Sequence, residues 1–382
     1  MERTWAEIDV DALKSNIKNI KKLVGDKKVM AVVKADAYGH GYKECSRILL
    51  ENGADSLGVA TVSEAKQLRH EGFSVPILIL GATFPEEAED IINFDIIPAV
   101  FDFDYAKHLS KVAESIGKNV KIHIKIDTGM SRIGLNAETE AVEEIIKISK
   151  LPRVEIDGIF SHFACADEEK KEYTKLQLER FNKVLSELKN HGIEIPCVHI
   201  ANSAGLMMYP EAHFNMVRAG IVLYGYHPSN EVEREKLSIK PVMTFKTRIT
   251  QIKEVESGVG VSYGKTYITD KRTKIATIPV GYADGYLRGL SQKAKVEIGG
   301  ELFDVIGRIC MDHCMIDVTN VNNINVGDEV ILFGNSKITA EDIASSLNTI
   351  SYEVLCQVSK RIPRIYKEKG REIAALNYLD KI

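Results

Sequence analysis

The first 235 residues or so alternate short apolar runs with amphipathic stretches. Most runs are rich in Val and Ile without polar alternation, which is typical of parallel strands buried on both faces. The stretches between them have helical spacing, as in 172–190. The pattern predicts an α/β fold, a TIM-type (β/α)₈ barrel, with an open doubly wound sheet as the alternative. The eight runs are 28–33, 56–60, 76–80, 96–100, 120–126, 154–160, 197–201 and 216–224.

The pattern changes near residue 236. Segment 228–240 is polar and predicts a linker or a surface hairpin. Apolar and polar positions then alternate from Met243 to Ile249, and short runs follow at close spacing, which predicts a mostly antiparallel β domain. Thr339 with Asp342 predicts a capping box that opens one short helix. We therefore divide the chain into 1–236 and 237–382, and leave residues 1–10 free to pack with the second domain.

Composition and charge narrow the function classes. Of the 382 residues, 45% are hydrophobic and 27% charged, which is ordinary for a globular protein. A net charge of −4 disfavours nucleic acid and anionic membranes as partners. No apolar run reaches the roughly 18 residues of a membrane span, and no signal-peptide pattern opens the chain. No G-x-G-x-x-G follows the first run, so dinucleotide binding lacks its usual sign.

Cysteine usage points to a reducing compartment. Six cysteines are scattered along the chain, which favours the cytoplasm over a disulfide framework. The closest pair is Cys310 and Cys314. A zinc site usually has four ligands in two close pairs, and no second pair exists, so we predict no metal.

Polar residues follow several predicted strands, and functional groups of a (β/α)₈ barrel gather at the C-terminal ends of its strands. Lys34 ends the first run, where a desolvated amine suits a Schiff-base nucleophile; a snorkelling lysine is the alternative. Asp127 and Arg132 follow the fifth run. Arg132 offers a planar fork for a carboxylate or phenolate, or a structural ion pair. His162 follows the sixth run and is otherwise a core histidine.

Two further strand ends and one loop carry candidate residues. Asn202 and Ser203 follow the seventh run and suit either an anion or a helix N-cap. Arg218 and Gly220 lie in the eighth run and its exit, where such barrels often bind phosphate. Tyr263 lies in a Gly-rich loop of the second domain, as an aromatic anchor or as a catalytic tyrosine activated by cationic neighbours. Each signal is weak alone, and the shared position at strand ends strengthens them together.

Nine segments, in order from Lys34 to Tyr352, resemble signatures of the alanine racemase family, which depends on pyridoxal 5′-phosphate (PLP). The resemblance implies an N-terminal barrel, a C-terminal β domain and a head-to-tail homodimer with shared active sites and a small amino acid as substrate. The segments are AVVKADAYGHG, KIDTGMSRIG, SHFACADE, HIANSAG, MVRAGI, GVSYGKTY, IPVGYADG, GRICMDH and SYEV.

The resemblance implies how the cofactor would be held. Lys34 would form a Schiff base with PLP, and Arg218 would face the pyridine nitrogen. Arg132 would contact the phenolic oxygen of the cofactor. His162 would belong to the cofactor site and tune Tyr263. The phosphate would be held by Tyr38, Ser203, Gly220, Ile221 and Tyr352.

The resemblance also implies how the substrate would be handled. Tyr263 of the second subunit would be the second catalytic base beside Lys34. The substrate carboxylate would meet Arg132 and the backbone of Met311. Lys125 matches a lysine that family members can carry as a carbamate. Two residues depart from the pattern: Ser131 stands where Gly is expected, and His313, beside Asp312, where Gln is common, so substrate access or range can differ.

These roles imply two-base interconversion of L- and D-alanine that supplies D-alanine for peptidoglycan. Lys34 would serve the D-enantiomer and Tyr263 the L-enantiomer. One alternative is a broader racemase acting on serine or lysine. A barrel-fold PLP decarboxylase fits poorly with Arg218, which can only donate to the ring nitrogen. A non-catalytic PLP-binding protein fits poorly with a second domain that carries Tyr263.

Overall fold

The structure, a computed structural model, describes residues 2–321 and 323–381. Strand β1 (Thr4–Asp9) lies outside the barrel, and eight parallel barrel strands follow it. A short strand, β7, pairs only with β6. The strands are β2 (Lys28–Val32), β3 (Ser56–Val59), β4 (Ile77–Ile79), β5 (Ala99–Val100), β6 (Val120–Asp127), β7 (Leu135–Asn136), β8 (Val154–Phe160), β9 (Cys197–His199) and β10 (Met216–Ala219).

The eight strands close into a barrel. Parallel ladders join β10, β2, β3 and β4, and a second set joins β5, β6, β8 and β9. A parallel bridge between Leu78 and Ile97 links the two sets on one side. On the other side the Arg218 N–H donates to the carbonyl of Ala201 (2.9 Å). The predicted barrel is confirmed, with a strand in each of the eight runs, and the open-sheet alternative is wrong.

Helices surround the barrel and bury their apolar faces against it, which removes those faces from water. In α1, Leu13, Ile17 and Ile20 are fully buried on one face, and the Asp9 carboxylate caps the helix by accepting from the Ala12 N–H (2.9 Å). The predicted helix over 172–190 is confirmed as α7. The helices are α1 (Val10–Val24), α2 (Tyr42–Glu51), α3 (Val62–His70), α4 (Ala88–Asn93), α5 (Phe103–Ile116), α6 (Ala141–Ile148), α7 (Glu172–Asn190) and α8 (Ser203–Met208).

A ten-stranded sheet forms the second half of the fold. Its ladders are antiparallel except for the parallel pair of β1 with β20, so the mostly antiparallel β domain is confirmed. Strands β13 and β14 form a separate hairpin. The strands are β11 (Met243–Arg248), β12 (Gln251–Val255), β13 (Gly260–Val261), β14 (Tyr267–Ile268), β15 (Thr273–Ile278), β16 (Lys295–Ile298), β17 (Glu301–Ile306), β18 (Cys314–Asp317), β19 (Glu329–Phe333), β20 (Arg364–Glu368) and β21 (Arg371–Leu376).

Parts of the second half differ from prediction. Segment 228–240 forms no hairpin and contains one 3₁₀ turn, Arg234–Lys236. The capping box is confirmed: Thr339 Oγ1 accepts from the Asp342 N–H (3.2 Å), and the Asp342 carboxylate accepts from the Thr339 N–H (2.8 Å), at the start of α9 (Ala340–Leu347). Three elements of the second half were not predicted: a further helix, α10 (Ser351–Gln357), and strands β20 and β21. Strand β21 is largely exposed and has no buried apolar face.

The two halves are tied through the start of the chain. Strand β1 lies between β11 and β20 in the second sheet, and α1 leads directly from it into the barrel. The Asn16 amide in α1 donates to the carbonyls of Leu223 (3.0 Å) and Lys240 (2.9 Å). Across the described ranges, none of the helices has the length and apolar character needed to cross a bilayer.

Candidate active site

One cavity collects the residues that follow the barrel strands. It has a volume of about 430 Å³ and contains Lys34 from the end of β2, His162 from the end of β8, and Arg218 from β10. The sequence-predicted residues Tyr38, Asn202, Ser203, Gly220, Ile221 and Tyr352 also line it. Tyr352 reaches it from α10, so the second half of the fold contributes one wall.

Lys34 has the environment of a reactive amine. Its Nζ makes no hydrogen bond or ion pair with any residue in the described ranges. Burial, and then the positive charge of Arg132, lower the pKa of the Lys34 amine below its usual 10.5. A lowered pKa leaves more of the amine neutral and nucleophilic. The side chain can therefore attack a carbonyl or move a proton.

The segment after Lys34 is a left-handed turn, residues 35–38. Its φ angles lie between 52° and 58°, although none of these residues is glycine. Left-handed backbone costs L-residues roughly 1–2 kcal/mol each, so the turn stores about 4–8 kcal/mol. Glu64 accepts from the Ala35 N–H (2.7 Å), and His40 Nδ1 donates to the carbonyls of Ala37 (3.0 Å) and Tyr38 (2.9 Å). The turn brings Lys34 and Tyr38 to the same cavity.

An anion cradle lies where β9 and β10 end. The Gly220 N–H donates to Ser203 Oγ (3.0 Å). A Cβ at Gly220 would lie 3.0 Å from Tyr38 Oη and 3.4 Å from Ser203 Oγ, so two hydroxyls converge where a side chain is missing. In the part of the chain that is described, the hydroxyls of Tyr38 and Tyr352 have no hydrogen-bond partner. Convergent, unpaired hydroxyl donors suit the oxygens of a phosphate.

Arg218 lies under the cavity and is fixed by several acceptors. Its guanidinium donates to the carbonyls of Ser161 (2.8 Å) and Ile200 (2.9 Å) and to ring nitrogens of His162 (3.1 Å) and His199 (2.7 Å). Burial lowers the pKa of Arg218 to about 9, which is still above neutrality. The guanidinium therefore remains a charged donor with a fixed orientation.

A chain of polar contacts continues from Arg218 through the barrel. His199 Nε2 lies 3.0 Å from His123 Nδ1, and His123 Nε2 lies 3.5 Å from the Asp157 carboxylate. Because Arg218 can only donate, His199 Nδ1 accepts and its Nε2 carries the proton. Burial lowers the pKa of both histidines, so both are neutral. All donors in this relay therefore point from Arg218 towards Asp157.

Two of three clustered residues that could bind a metal, His123 and His199, belong to this relay. The ligand atoms of His123, Cys197 and His199 lie within 4.8 Å of one another. His199 Nε2 carries a proton in the relay, so it has no lone pair for a metal. The cysteine pair considered in the sequence lies elsewhere, with Cys310 Sγ 3.4 Å from Ser262 Oγ and Cys314 buried. The absence of a metal stays a prediction.

Lys125 and Arg132 extend the positive charge of the site. Lys125 is 3% exposed, and burial, followed by the charge of Arg218, lowers its pKa to about 7. Its Nζ donates to the carbonyl of Ile126 (2.7 Å). Arg132 is exposed and outside the lining of the cavity, but its charge acts on Lys34, Lys125 and His162. The basic groups of Lys34, Lys125, Arg132 and Arg218 therefore act on one another electrostatically, which suits a ligand with negative charge.

Asp127 shapes the loop that carries Arg132. Its carboxylate accepts from the N–H groups of Gly129 (2.8 Å) and Ser131 (3.1 Å) and makes no ion pair with Arg132. Ser131 has a φ of 57°, the left-handed region that favours glycine. This explains in physical terms why glycine is expected at this position.

The remaining predicted residues lie apart from the Lys34 cavity. Tyr263 is 71% exposed and lines a different cavity, with Ser262, Cys310 and His313. Met311 is 53% exposed. Within one chain, the described residues do not bring Tyr263 or Met311 to Lys34. A second chain would have to supply them.

Several site residues were missed by the sequence reasoning. His199, His123 and Asp157 form the relay, and Glu64 holds the left-handed turn. None of the four carries a signal in the sequence alone. The structure shows that Gly158 makes room for His123, since a Cβ there would lie 2.4 Å from Cε1 of the ring.

The fold and the site define a class: a two-domain (β/α)₈-barrel protein with a half-buried lysine at a strand end that has no partner among the described residues. The protein-family model described as "Alanine racemase, N-terminal domain" matches residues 8–228 of the sequence. The family model "Alanine racemase, C-terminal domain" matches residues 242–366. The chain belongs to the alanine racemase family. The function of this family of isomerases is the PLP-dependent interconversion of L- and D-alanine.

Relatives match over nearly the whole length. A curated alanine racemase from Clostridium novyi (strain NT) is 51% identical over 379 residues, 98% of each chain. The solved alanine racemase of Clostridium difficile 630 has a TM-score of 0.97 at 46% identity and 99% coverage of both chains. The Bacillus anthracis alanine racemase with bound L-Ala-P has a TM-score of 0.94 at 36% identity, covering 100% of this chain and 99% of that one.

Proposed function

We propose that this protein carries PLP on Lys34 and interconverts L- and D-alanine with two bases, Lys34 and Tyr263. The observation that carries the proposal is the Lys34 amine: it is half-buried and unpaired in the described residues, and it shares one cavity with an anion cradle and Arg218 in a chain of the alanine racemase family.

The cavity fits the cofactor. The cradle of Tyr38, Ser203, Gly220, Ile221 and Tyr352 would hold the phosphate chiefly through its hydroxyl donors, since the Gly220 N–H already donates to Ser203 Oγ. The charges of Arg218 and Arg132 would balance the phosphate and the phenolic oxygen. Arg218 would face the ring nitrogen as a donor, because the relay to Asp157 fixes its orientation.

When bound, the cofactor supplies an electron sink that acidifies the Cα–H of an amino acid attached to it. Racemisation then needs one base on each face of Cα. Lys34, with its lowered pKa, would take or return the proton for the D-enantiomer. Arg218 gives the ring nitrogen no proton, which keeps charge at Cα short-lived and disfavours transamination. This restraint follows from the donor-only chemistry of a guanidinium.

Tyr263 would act from the second subunit of a homodimer, on the L-enantiomer. Its side chain is exposed and separate from the Lys34 cavity of its own chain. Val259 and Ile268, beside it on the β13–β14 hairpin, are 38% and 61% exposed. Exposed apolar side chains around a polar group are typical of a protein interface. His162 Nδ1 accepts from Arg218, which leaves an N–H on Nε2 to bond the Tyr263 oxygen and tune it.

Arg132 and the backbone of Met311 would hold the substrate carboxylate. Lys125 would be carbamylated: with a pKa of about 7, much of its amine is neutral at physiological pH and can react with CO₂. The carbamate would place an anion among the cations and orient Arg132. The division near residue 236, the cytoplasmic location and the supply of D-alanine for peptidoglycan remain predictions.

The direct test is racemase activity. Purified protein with added PLP is incubated with L- or D-alanine, and the enantiomers are separated by chiral chromatography. We expect both to approach an equal mixture. Serine and lysine, assayed in parallel, distinguish the broader racemase by comparison of kcat/KM. Uptake of PLP without racemisation of any amino acid would instead support the non-catalytic alternative.

A further inference from the structure

The end of the chain contacts the left-handed turn and the two residues that follow it, Gly39 and His40. Arg364, in β20, donates from Nε to the carbonyl of Gly39 (3.0 Å). Tyr366, in the same strand, donates its hydroxyl to the carbonyl of His40 (2.8 Å). The hydroxyl of Tyr378 donates to the Asp36 carboxylate within the turn. Three side chains of the second domain therefore hold one segment of the first.

These three side chains are themselves fixed. Arg364 is fully buried and makes no ion pair with any described residue; its guanidinium donates to the carbonyls of Val358 and Ser359, both at 2.7 Å. Tyr366 is fully buried, and Arg364 Cζ lies 5.7 Å from the centre of the Tyr378 ring. Arg364 is therefore held independently of the turn, and burial restricts the Tyr366 ring.

The turn and the second domain approach too closely for loose packing. A Cβ at Gly41 would lie 1.9 Å from Tyr366 Oη, and a Cβ at Gly39 would lie 2.4 Å from the carbonyl oxygen of Leu355. Only glycine fits at either position. A change in how this part of the second domain packs would therefore move the turn.

We propose that Arg364, Tyr366 and Tyr378 are positioning residues for Lys34. The inference rests on the proposed function of Lys34. Residues 35–38 have no glycine, so the turn would relax towards right-handed backbone without outside contacts. Lys34 precedes the turn and Tyr38 ends it, so its shape sets the spacing between the amine and the hydroxyl that would hold the phosphate. The last strands of the chain thus keep the two groups in register for one cofactor.

The test removes hydroxyl groups without removing rings. Tyr366→Phe, Tyr378→Phe and the double variant are compared with Tyr286→Phe. Tyr286 is also buried, but its hydroxyl has no hydrogen-bond partner in the described residues. Two quantities are measured: hydrogen–deuterium exchange of peptides spanning 33–41 in the cofactor-free protein, and the dissociation constant of PLP.

We expect faster exchange at 33–41 and a PLP dissociation constant raised about fivefold by each single change, and further in the double variant. Tyr286→Phe should change neither quantity. A purely structural role would lower the melting temperature of the Tyr366 and Tyr378 variants but leave exchange at 33–41 and PLP binding as in wild type, which would overturn the inference. An equal change in Tyr286→Phe would overturn it too.

Mapping of the adduct in wild type separates the two proposals. If reduction with borohydride fixes PLP on Lys34 of wild type and the variants behave as wild type, only the positioning role fails. If wild type carries no PLP on Lys34, the proposed function fails first. If a single variant does not fold, the other single variant decides.

Discussion

Replacing Lys125 by Met should stabilise the cofactor-free protein in acid. Burial, with Arg218 next, lowers the pKa of Lys125 from 10.5 to about 7. At about 1.36 kcal/mol for each change of one in pKa, keeping this amine protonated in the fold costs about 5 kcal/mol. Met carries no charge and loses one hydrogen bond, to the Ile126 carbonyl, worth about 1 kcal/mol. That carbonyl still accepts from the Ser161 hydroxyl (2.9 Å). We expect a net gain of about 3–4 kcal/mol at about pH 6.

The sign of the pH dependence follows from the two pKa values. The folded value lies below the unfolded one, so the unfolded chain binds more protons between about pH 7 and 10, and wild-type stability rises with pH in that window. The advantage of Lys125→Met should therefore shrink as the pH rises. Urea unfolding of the cofactor-free proteins in CO₂-free buffer, at about pH 6 and about pH 10, measures it.

Lys183→Met provides the matched control, because the Lys183 side chain is 71% exposed. Its effect on the free energy of unfolding should be small and should change little with pH. A Lys125→Met variant that is no more stable than wild type at the lower pH, or whose advantage persists undiminished at the higher pH, would show that the buried amine does not destabilise the fold.

Further experiments test the relay, the packing at Gly158 and the shared active site. Asp157→Leu leaves the His123 Nε2–H without its acceptor and should lower the free energy of unfolding in urea by about 1–3 kcal/mol. Asp157→Asn can still accept from His123 and should lower it less. Equal losses in the two variants would count against the relay. Gly158→Ala places a Cβ against the His123 ring and should cost about 1–3 kcal/mol, with a shifted ring in its crystal structure; an unmoved ring would contradict the tight fit. Inactive Lys34→Ala and Tyr263→Phe subunits, mixed and allowed to exchange, should recover about a quarter of wild-type activity, because half of the dimers are mixed and each has one intact site. No recovery after verified exchange would argue against a shared site.

Much of the fold follows from local pattern. The eight apolar runs became the barrel strands because residues buried on both faces cannot alternate with polar ones. Strand β11 was predictable for the opposite reason: Met243, Phe245 and Thr247 are buried while the residues between them are partly exposed. Strand β21 escaped prediction because it lies at the sheet edge, where most of its side chains are exposed and leave no apolar period.

The site was predictable where it follows strand ends and obscure where it depends on tertiary contact. Lys34, Ser203 and Arg218 could be proposed because barrel topology brings strand ends together. The left-handed turn could not, because Ala and Asp at 35–37 give no sign of positive φ; contacts with His40, Glu64 and the end of the chain impose it. The relay depends on which strand residues face inward across three strands, and sequence spacing does not fix that.

The most direct measurement of the central claim is the position of the cofactor on the chain. The protein is loaded with PLP, reduced with borohydride, digested and mapped by mass spectrometry, with Lys34→Ala treated in the same way. We expect one pyridoxyl group per chain on Lys34 and none at that level on any other lysine of either protein. A stoichiometric adduct on a different lysine, with Lys34 unmodified, would contradict it.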